Sequence, residues 1–233
     1  MDDIRFKDRT ELRQYISDHM VKPLGVGREG QCTLLDNGLV IKYLYRDYYP
    51  QFALQFKDLY IPSLIFARYG AFVEDYVGAV FMDYAKGDAL LDRIPLEQSL
   101  DVLGDHLNVL VDGIKKASEM GIYAKDFHCG NILYDLNQFK IVDTLSYLRF
   151  DNYTYEKDNI YEIMNPIFAK LLSEIIDYNK EIGFDLSFFG NLDYLKNPKE
   201  YLQLLKSRIE TITDQEVTTL KDASMSLRKK VNR

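Results

Sequence analysis

The chain has 233 residues, 47% of them hydrophobic, so it is long enough to bury a sizeable core as one domain or two closely packed lobes. Its 29 basic and 36 acidic residues give a net charge of -7, which argues against nucleic acid or an anionic membrane as a partner. Two cysteines are too few for a disulfide framework and no segment approaches the roughly 20 apolar residues of a membrane span, so we expect a cytoplasmic protein.

A glycine-rich string, Gly-Val-Gly-Arg-Glu-Gly, occupies residues 25–30. Such a string also opens dinucleotide-binding folds, but there a helix follows the third glycine. Here β-rich runs flank the pair Asn37-Gly38, which favours a type I′ turn, so we expect an antiparallel hairpin. Glycines let backbone amides approach phosphate oxygens. The candidate phosphate-binding residues are Gly25, Val26, Gly27 and Gly30.

Lys42 lies in the apolar second strand of this predicted hairpin. From there its ammonium would reach the α- and β-phosphates of a nucleotide as a point charge. The alternative is an edge lysine that faces water. Because the lysine follows the glycine string so closely, we favour the phosphate contact.

The rest of the first half predicts a helix over residues 46–60 and strands over 64–73 and 78–84. The last strand runs into a short connector that would offer backbone groups to an adenine edge. The candidate nucleotide-binding residues of this connector are Met82, Asp83 and Ala85.

The second half begins with the clearest helical pattern, over residues 97–121, where Gly121 is placed to end the helix. It leads to the string Asp-Phe-His-Cys-Gly-Asn at residues 126–131, then to a short hairpin that ends at Asp143. A carboxylate at Asp126 can orient an acceptor hydroxyl and take its proton. The amide oxygen of Asn131 and the carboxylate of Asp143 suit Mg²⁺.

Two alternatives remain open in this half. Asp126 and Asn131 would also suit a purely structural role in which they accept hydrogen bonds from loop amides. Further helices are predicted over residues 158–178, 198–212 and 214–230. Asp158 is either a brace for the catalytic loop or an ordinary helix N-cap.

The glycine string, the strand lysine, the Asp-x-x-x-x-Asn spacing and the strand-end aspartate together resemble the protein-kinase-like superfamily. The string at residues 126–133 is especially similar to that of its atypical and small-molecule branches, including aminoglycoside and choline kinases. The likeness covers roughly residues 24–143. It implies ATP and Mg²⁺ as cofactors and a two-lobed α+β fold.

In that fold, residues 1–84 would form a lobe with an antiparallel sheet and one helix, and residues 85–233 a trimmed, mainly helical lobe. The resemblance also implies a role for each site residue. Asp126 would be the catalytic base, Lys42 the α/β-phosphate contact, His128 a neighbour of the γ-phosphate, and Asn131 and Asp143 the metal ligands.

The chain departs from the kinase pattern at several positions. Ala124 replaces a histidine, and Thr144-Leu145 replaces Phe-Gly after the metal-binding aspartate. No glutamate lies between Lys42 and Glu74. The lysine would therefore need another partner, for which the candidates are Gln51, Gln55 and Asp58.

We expect first a protein kinase that phosphorylates Ser, Thr or Tyr hydroxyls. One alternative is a small-molecule kinase of the aminoglycoside or choline type, favoured by the His-x-Gly-Asn string. The other is a nucleotide-binding pseudokinase that acts through partners, favoured by the missing histidine and glutamate.

Overall fold

The structure, a computed structural model, is an α+β protein. It describes residues 3–151, 153–176 and 194–231. Contacts divide the chain into two compact units. The first contains Met1–Ala85 and Val142–Ser146, and the second contains Lys86–Ile141 and Tyr147–Arg233.

A six-stranded sheet forms the first unit. Its strands are β1 (Ile4–Phe6), β2 (Met20–Val26), β3 (Gly30–Leu35), β4 (Leu39–Tyr48), β5 (Ala67–Val73) and β6 (Tyr76–Asp83). They lie in the order β1-β5-β6-β4-β3-β2, and β1 runs parallel to β5 while the other neighbours are antiparallel. The sheet is therefore mixed, and the prediction of an antiparallel sheet is wrong at β1.

The main helix of this unit is α1 (Arg9–His19), which the sequence analysis did not predict. Its N-cap is Asp8, whose carboxylate accepts hydrogen bonds from the N–H groups of Thr10 and Glu11 at 2.8 and 3.0 Å. Leu12 packs into the core of the sheet and is fully buried. The helix therefore covers one face of the sheet through a single deeply buried leucine.

The helix predicted over residues 46–60 is wrong. β4 continues through Tyr48, which pairs with Val77 of β6, so the first residues of the segment are already in the sheet. Only Pro50–Ala53 forms a helix, α2, and turns follow from Leu54. Proline suits the first turn of a helix, which explains where α2 begins.

The hairpin of β3 and β4 is confirmed, but its type I′ turn is wrong. That turn requires positive φ at both central residues, and only Gly38 has it, at 80°. Gly38 N–H donates to Leu35 O at 3.0 Å, and Asn37 Oδ1 accepts from Leu39 N–H at 3.0 Å. The connection thus matches the three-residue class, in which a glycine in the left-handed region follows the turn.

The second unit is mainly helical. Its helices are α3 (Leu100–Glu119), α4 (Glu156–Ile176), α5 (Pro198–Thr213) and α6 (Leu220–Val231). The long predicted helix is confirmed as α3, which Gly121 ends with φ 71°. The helix predicted over 214–230 begins only at Leu220, because Asp214 adopts a left-handed conformation that ends α5.

The helix predicted over 158–178 begins at Glu156, and its last two predicted residues lie outside the described ones. Within the described ranges, no helix combines the length and the apolar character that crossing a bilayer demands.

Short strands frame the loop that carries the predicted catalytic residues. They are β7 (Asp88–Ala89), β8 (Ile122–Tyr123), β9 (Ile132–Tyr134), β10 (Phe139–Ile141) and β11 (Leu148–Arg149). β9 pairs with both β10 and β7, and β8 pairs with β11. The predicted hairpin after the loop is confirmed, and Asp135 Oδ1 accepts the N–H groups of Asn137 and Gln138 at its turn.

The placement of Asp143 differs from the prediction, which put it in the lobe of residues 85–233. The segment Val142–Ser146 belongs to the first unit instead. Thr144 is buried there, and its hydroxyl donates to Ile65 O at 2.8 Å. Asp143 itself forms an ion pair with Lys42. Local contacts therefore assign this segment to the first unit, although it directly follows β10, a strand of the second unit, along the chain.

Candidate functional site

Lys42 is buried in β4 between two carboxylates. Its side chain is 4% exposed, its Nζ forms an ion pair with Asp143, and it lies 3.4 Å from Oε2 of Glu29. Burial lowers the pKa of the lysine, but the charges of Asp143 and Glu29 outweigh it and raise that pKa above its ordinary value. The alternative of an edge lysine that faces water is therefore wrong, and the buried ammonium stays charged.

Glu29 is the partner of Lys42 that the sequence analysis missed. Of the partners proposed for Lys42, Gln51 and Asp58 are exposed, and Gln55 carries no charge. Pairing places Cys32 of β3 opposite Lys42, so the residues just before β3 lie near the same strand. The only signal in the sequence was an acidic residue inside the glycine string.

The three glycines of the string have different surroundings. A Cβ on Gly30 would lie 2.1 Å from the carbonyl oxygen of Tyr43, so the pairing of β3 with β4 excludes any side chain there. A Cβ on Gly25 would meet no atom within 4 Å, and one on Gly27 would meet only Gly30 O at 3.8 Å. Gly30 is thus required by the fold, while Gly25 and Gly27 leave open space above the backbone. Val26 between them is 72% exposed.

The predicted adenine connector follows β6 in the same unit. Met82 is buried in β6, and Ala85 just beyond the strand is also buried. Asp83, the last residue of β6, forms an ion pair with Arg68, whose Nε donates to Oδ2 at 3.0 Å. The side chain of Asp83 is therefore engaged within the sheet, where its backbone also pairs with Leu39 of β4.

In the second unit, Asp126, His128 and Asn131 share the loop between β8 and β9. Asp126 is exposed and has φ 59°, a left-handed conformation that is uncommon for residues other than glycine. Within the described part of the chain, neither the Asp126 carboxylate nor the Asn131 side-chain amide forms a hydrogen bond to the protein. The alternative in which these two side chains satisfy loop amides is therefore wrong.

His128 satisfies those amides instead. Its Nδ1 accepts the N–H of Gly130 at 3.1 Å, and its carbonyl accepts the N–H of Asn131 at 2.9 Å. Because Nδ1 is the acceptor, the neutral ring carries its proton on Nε2. A Cβ on Gly130 would lie 2.9 Å from Nδ1, so the glycine makes room for the ring. The ring is thus fixed with one N–H left to donate to an anion.

The brace of this loop is Asn159, not Asp158. Asp158 is exposed in the first turn of α4, whereas Asn159 is 1% exposed. Asn159 Oδ1 accepts the N–H of Ala124 at 2.7 Å, and its Nδ2 donates to Ser118 Oγ at 2.8 Å and to Ile122 O at 2.6 Å. One buried amide therefore joins α4 and α3 to the segment that leads into Asp126.

The donors proposed for Mg²⁺, Asn131 and Asp143, belong to different units. Among the described residues, no group of three or more His, Cys, Asp or Glu side chains could hold a metal by itself. Mg²⁺ usually takes one or two protein carboxylates together with substrate phosphates and water, so a preformed cage is not needed. Asp143 carries a carboxylate in the first unit, and Asn131 carries in the second an amide oxygen that accepts no hydrogen bond from the described residues.

No protein-family model matches the chain, and no curated protein shows significant similarity to it. A functional assignment therefore rests on the residues described above.

Proposed function

We propose that the protein is an ATP- and Mg²⁺-dependent phosphotransferase that transfers the γ-phosphoryl group to a hydroxyl on a protein. The observation that carries this proposal is the buried ammonium of Lys42, paired with one carboxylate from the glycine string and with Asp143. An apolar residue would fill a strand interior at lower desolvation cost, so a buried charged lysine favours a functional role.

The glycine string supports the same role. Gly25 and Gly27 have no steric reason within the fold to be glycine, and a backbone without side chains there lets phosphate oxygens approach it closely, while the Gly27 N–H itself donates to Gly30 O at 2.8 Å. Lys42 lies on the strand next to this string and would contact the α- and β-phosphates. In the ion pair of Lys42 and Asp143, the ammonium that would contact the phosphates lies next to the carboxylate that would bind the metal.

The loop of the second unit would supply the transfer chemistry. Asp126 would accept the proton of the attacking hydroxyl as its oxygen bonds to the γ-phosphorus and the bond to ADP breaks. His128 would donate its Nε2–H to a γ-phosphate oxygen, and Asn131 would offer its amide oxygen to the metal. Bound Mg²⁺ would neutralise charge on the phosphates. We place a protein acceptor first because Asp126 is exposed in its own unit.

The test is transfer from γ-labelled ATP with Mg²⁺ and a generic protein substrate. We expect label on protein with the wild-type chain and with Asp92→Asn, a control that changes an exposed aspartate of the same unit. Asp126→Asn should reduce transfer by about 10²- to 10⁴-fold, because it removes the base. Label found only in small molecules would shift the acceptor class, and ATP binding without any transfer would contradict the proposed enzyme.

A further inference from the structure

Glu29 is fixed in place by the backbone on both sides. Its carbonyl accepts the N–H of Tyr45 at 3.0 Å, and the next residue, Gly30, lies against the carbonyl of Tyr43. Both partners belong to β4, the strand that carries Lys42. The end of the glycine string is therefore attached to the lysine strand through the main chain as well as through the Glu29 side chain.

The surroundings of Lys42 offer no substitute for this carboxylate. The segment after β4 forms only the four-residue α2, and it contains no glutamate. Asp47 forms an ion pair with Arg9, and Asp58 is exposed. Besides Glu29, the charged partner of Lys42 among the described residues is Asp143.

Asp143 is also the residue proposed to bind the metal. An acidic side chain that engages Mg²⁺ shares its charge with the ion and holds a neighbouring ammonium less strongly. The Glu29 carboxylate is 34% exposed and lies 3.4 Å from Nζ. It is then the group that keeps the Lys42 ammonium directed toward the phosphates. This step rests on the proposed function.

We infer that Glu29 is the positioning residue for Lys42 and joins the phosphate-binding string and the phosphate-binding lysine into one element. It acts through the lysine and not on the adenine or on the acceptor. The consequence is specific, because loss of Glu29 should weaken binding in proportion to the phosphates that Lys42 contacts. ATP and ADP should be affected equally, and adenosine should not be affected.

The test measures affinities of the full-length protein for ATP, ADP and adenosine, with Mg²⁺ and again with EDTA. Glu29→Gln should weaken ATP and ADP by about tenfold and leave adenosine unchanged. Glu74→Gln makes the same chemical change at an exposed turn of the same unit and should alter none of the three. In transfer assays, Glu29→Gln should raise KM for ATP more than it lowers kcat, because Lys42 contacts non-reacting phosphates.

A double-mutant cycle identifies the route of the effect. If Glu29 acts through the lysine, Glu29→Gln should weaken ATP binding no further once Lys42→Met is present. Additive losses would overturn the inference, as would an equal loss for adenosine. Should Glu29→Gln fail to fold, Glu29→Asp keeps the charge but shortens the reach, and the same pattern of losses is expected at smaller size.

Failure of the inference is distinguishable from failure of the proposed function. A wild-type protein that binds neither ATP nor ADP would overturn the proposed function and the role of Glu29 together. Wild-type and Glu29→Gln proteins that bind ATP with equal affinity would overturn only the role of Glu29.

Discussion

A single interatomic distance separates the glycines of the string into two kinds. A side chain at position 30 would collide with the carbonyl of Tyr43, whereas one at position 25 would point into open space. The same residue type thus serves the fold in one place and is available for ligand contact in the other. Conformational freedom is not the reason in either case, because positive φ among the glycines occurs only at Gly38, Gly87 and Gly121 in the described residues.

Alanine substitutions should therefore have different effects at these two positions, on stability at position 30 and on ATP binding at position 25. Gly30→Ala should lower the free energy of unfolding by about 1–3 kcal/mol, because a strand must move to admit the methyl group. Gly25→Ala should change it by less than about 0.5 kcal/mol yet weaken ATP binding. Urea denaturation and nucleotide titration measure the two quantities. Equal destabilisation by both variants would contradict this division of roles.

The cluster of Lys42, Glu29 and Asp143 shows which residues of a site the sequence can predict. Lys42 and Asp143 were both predicted as residues of one nucleotide site, as phosphate contact and metal ligand, because their residue types and motif context are distinctive, but their ion pair was not predicted. Glu29 was not, because the direction of a side chain in a loop depends on how the flanking strands pair. The register that sets Cys32 opposite Lys42 depends on the turn that joins β3 to β4, and no pattern in residues 25–30 encodes it.

At the scale of elements, Asn159 ties two helices to the loop of Asp126. Its replacement by alanine should lower the free energy of unfolding by about 1–3 kcal/mol, because Ala124 N–H and Ile122 O would be left buried without a partner. It should also lower kcat, since Ala124 lies two residues before Asp126. Chemical denaturation and the transfer assay provide the measurements.

Asp158→Asn is the matched control for that variant. It changes the adjacent, exposed residue, which the sequence offered either as the brace or as a helix N-cap. We expect it to leave both stability and kcat unchanged. A stability loss equal to that of Asn159→Ala would instead assign the bracing role to the carboxylate.

A reciprocal cap begins α6. Thr219 Oγ1 accepts the N–H of Asp222 at 3.0 Å, and Asp222 Oδ2 accepts the N–H of Thr219 at 3.1 Å. Thr219→Ala should lower the free energy of unfolding by about 1 kcal/mol, because it removes this cap. Hydrogen bonds from Thr218 and Thr219 outweigh desolvation and lower the pKa of Asp222.

The contribution of the Asp222 carboxylate to stability is therefore complete above the ordinary aspartate pKa. It is lost as pH falls below about 4, through the lowered pKa of Asp222 in the folded state. Comparing the pH dependence of urea midpoints for wild type and Asp222→Asn measures this loss, and identical profiles would contradict it.

The elements differ in how far the sequence predicts them. α3 was predicted because its apolar residues keep a helical period over five turns and a glycine ends it. The prediction of a helix over 46–60 was wrong because the pairing of Tyr48 with Val77 extends β4 into the segment. Pro50 then begins only the short helix α2. β1 is three residues long and joins the sheet by a parallel contact to β5, which leaves too little pattern to detect.

On the scale of the whole molecule, the chain contributes to the first unit twice. Residues 1–85 supply most of it, and Val142–Ser146 returns to supply Asp143 and Thr144. A boundary drawn along the sequence cannot represent this, because contacts and not chain order assign the segment. The first unit is therefore incomplete without a piece of chain that comes after β10.

Mg-ATP should stabilise the wild-type protein by linkage. At a ligand concentration of 100 Kd, binding to the folded state alone adds about 2.7 kcal/mol to the free energy of unfolding. Thermal denaturation with Mg-ATP, with ATP and EDTA, and with no ligand would measure it. Asp126→Asn should keep the full shift, because its carboxylate acts on the acceptor and not on the nucleotide.

Asp143→Asn should behave differently in the same experiment. The variant weakens the metal site and also removes one of the two carboxylates beside Lys42, so the Mg²⁺-dependent part of the shift should disappear while part of the EDTA shift remains. Lys42→Met should lose both parts, because the phosphate contact itself is gone. If Asp126→Asn lost the shift and Lys42→Met kept it, neither residue would have the role proposed for it, and the buried ammonium would no longer support a nucleotide site.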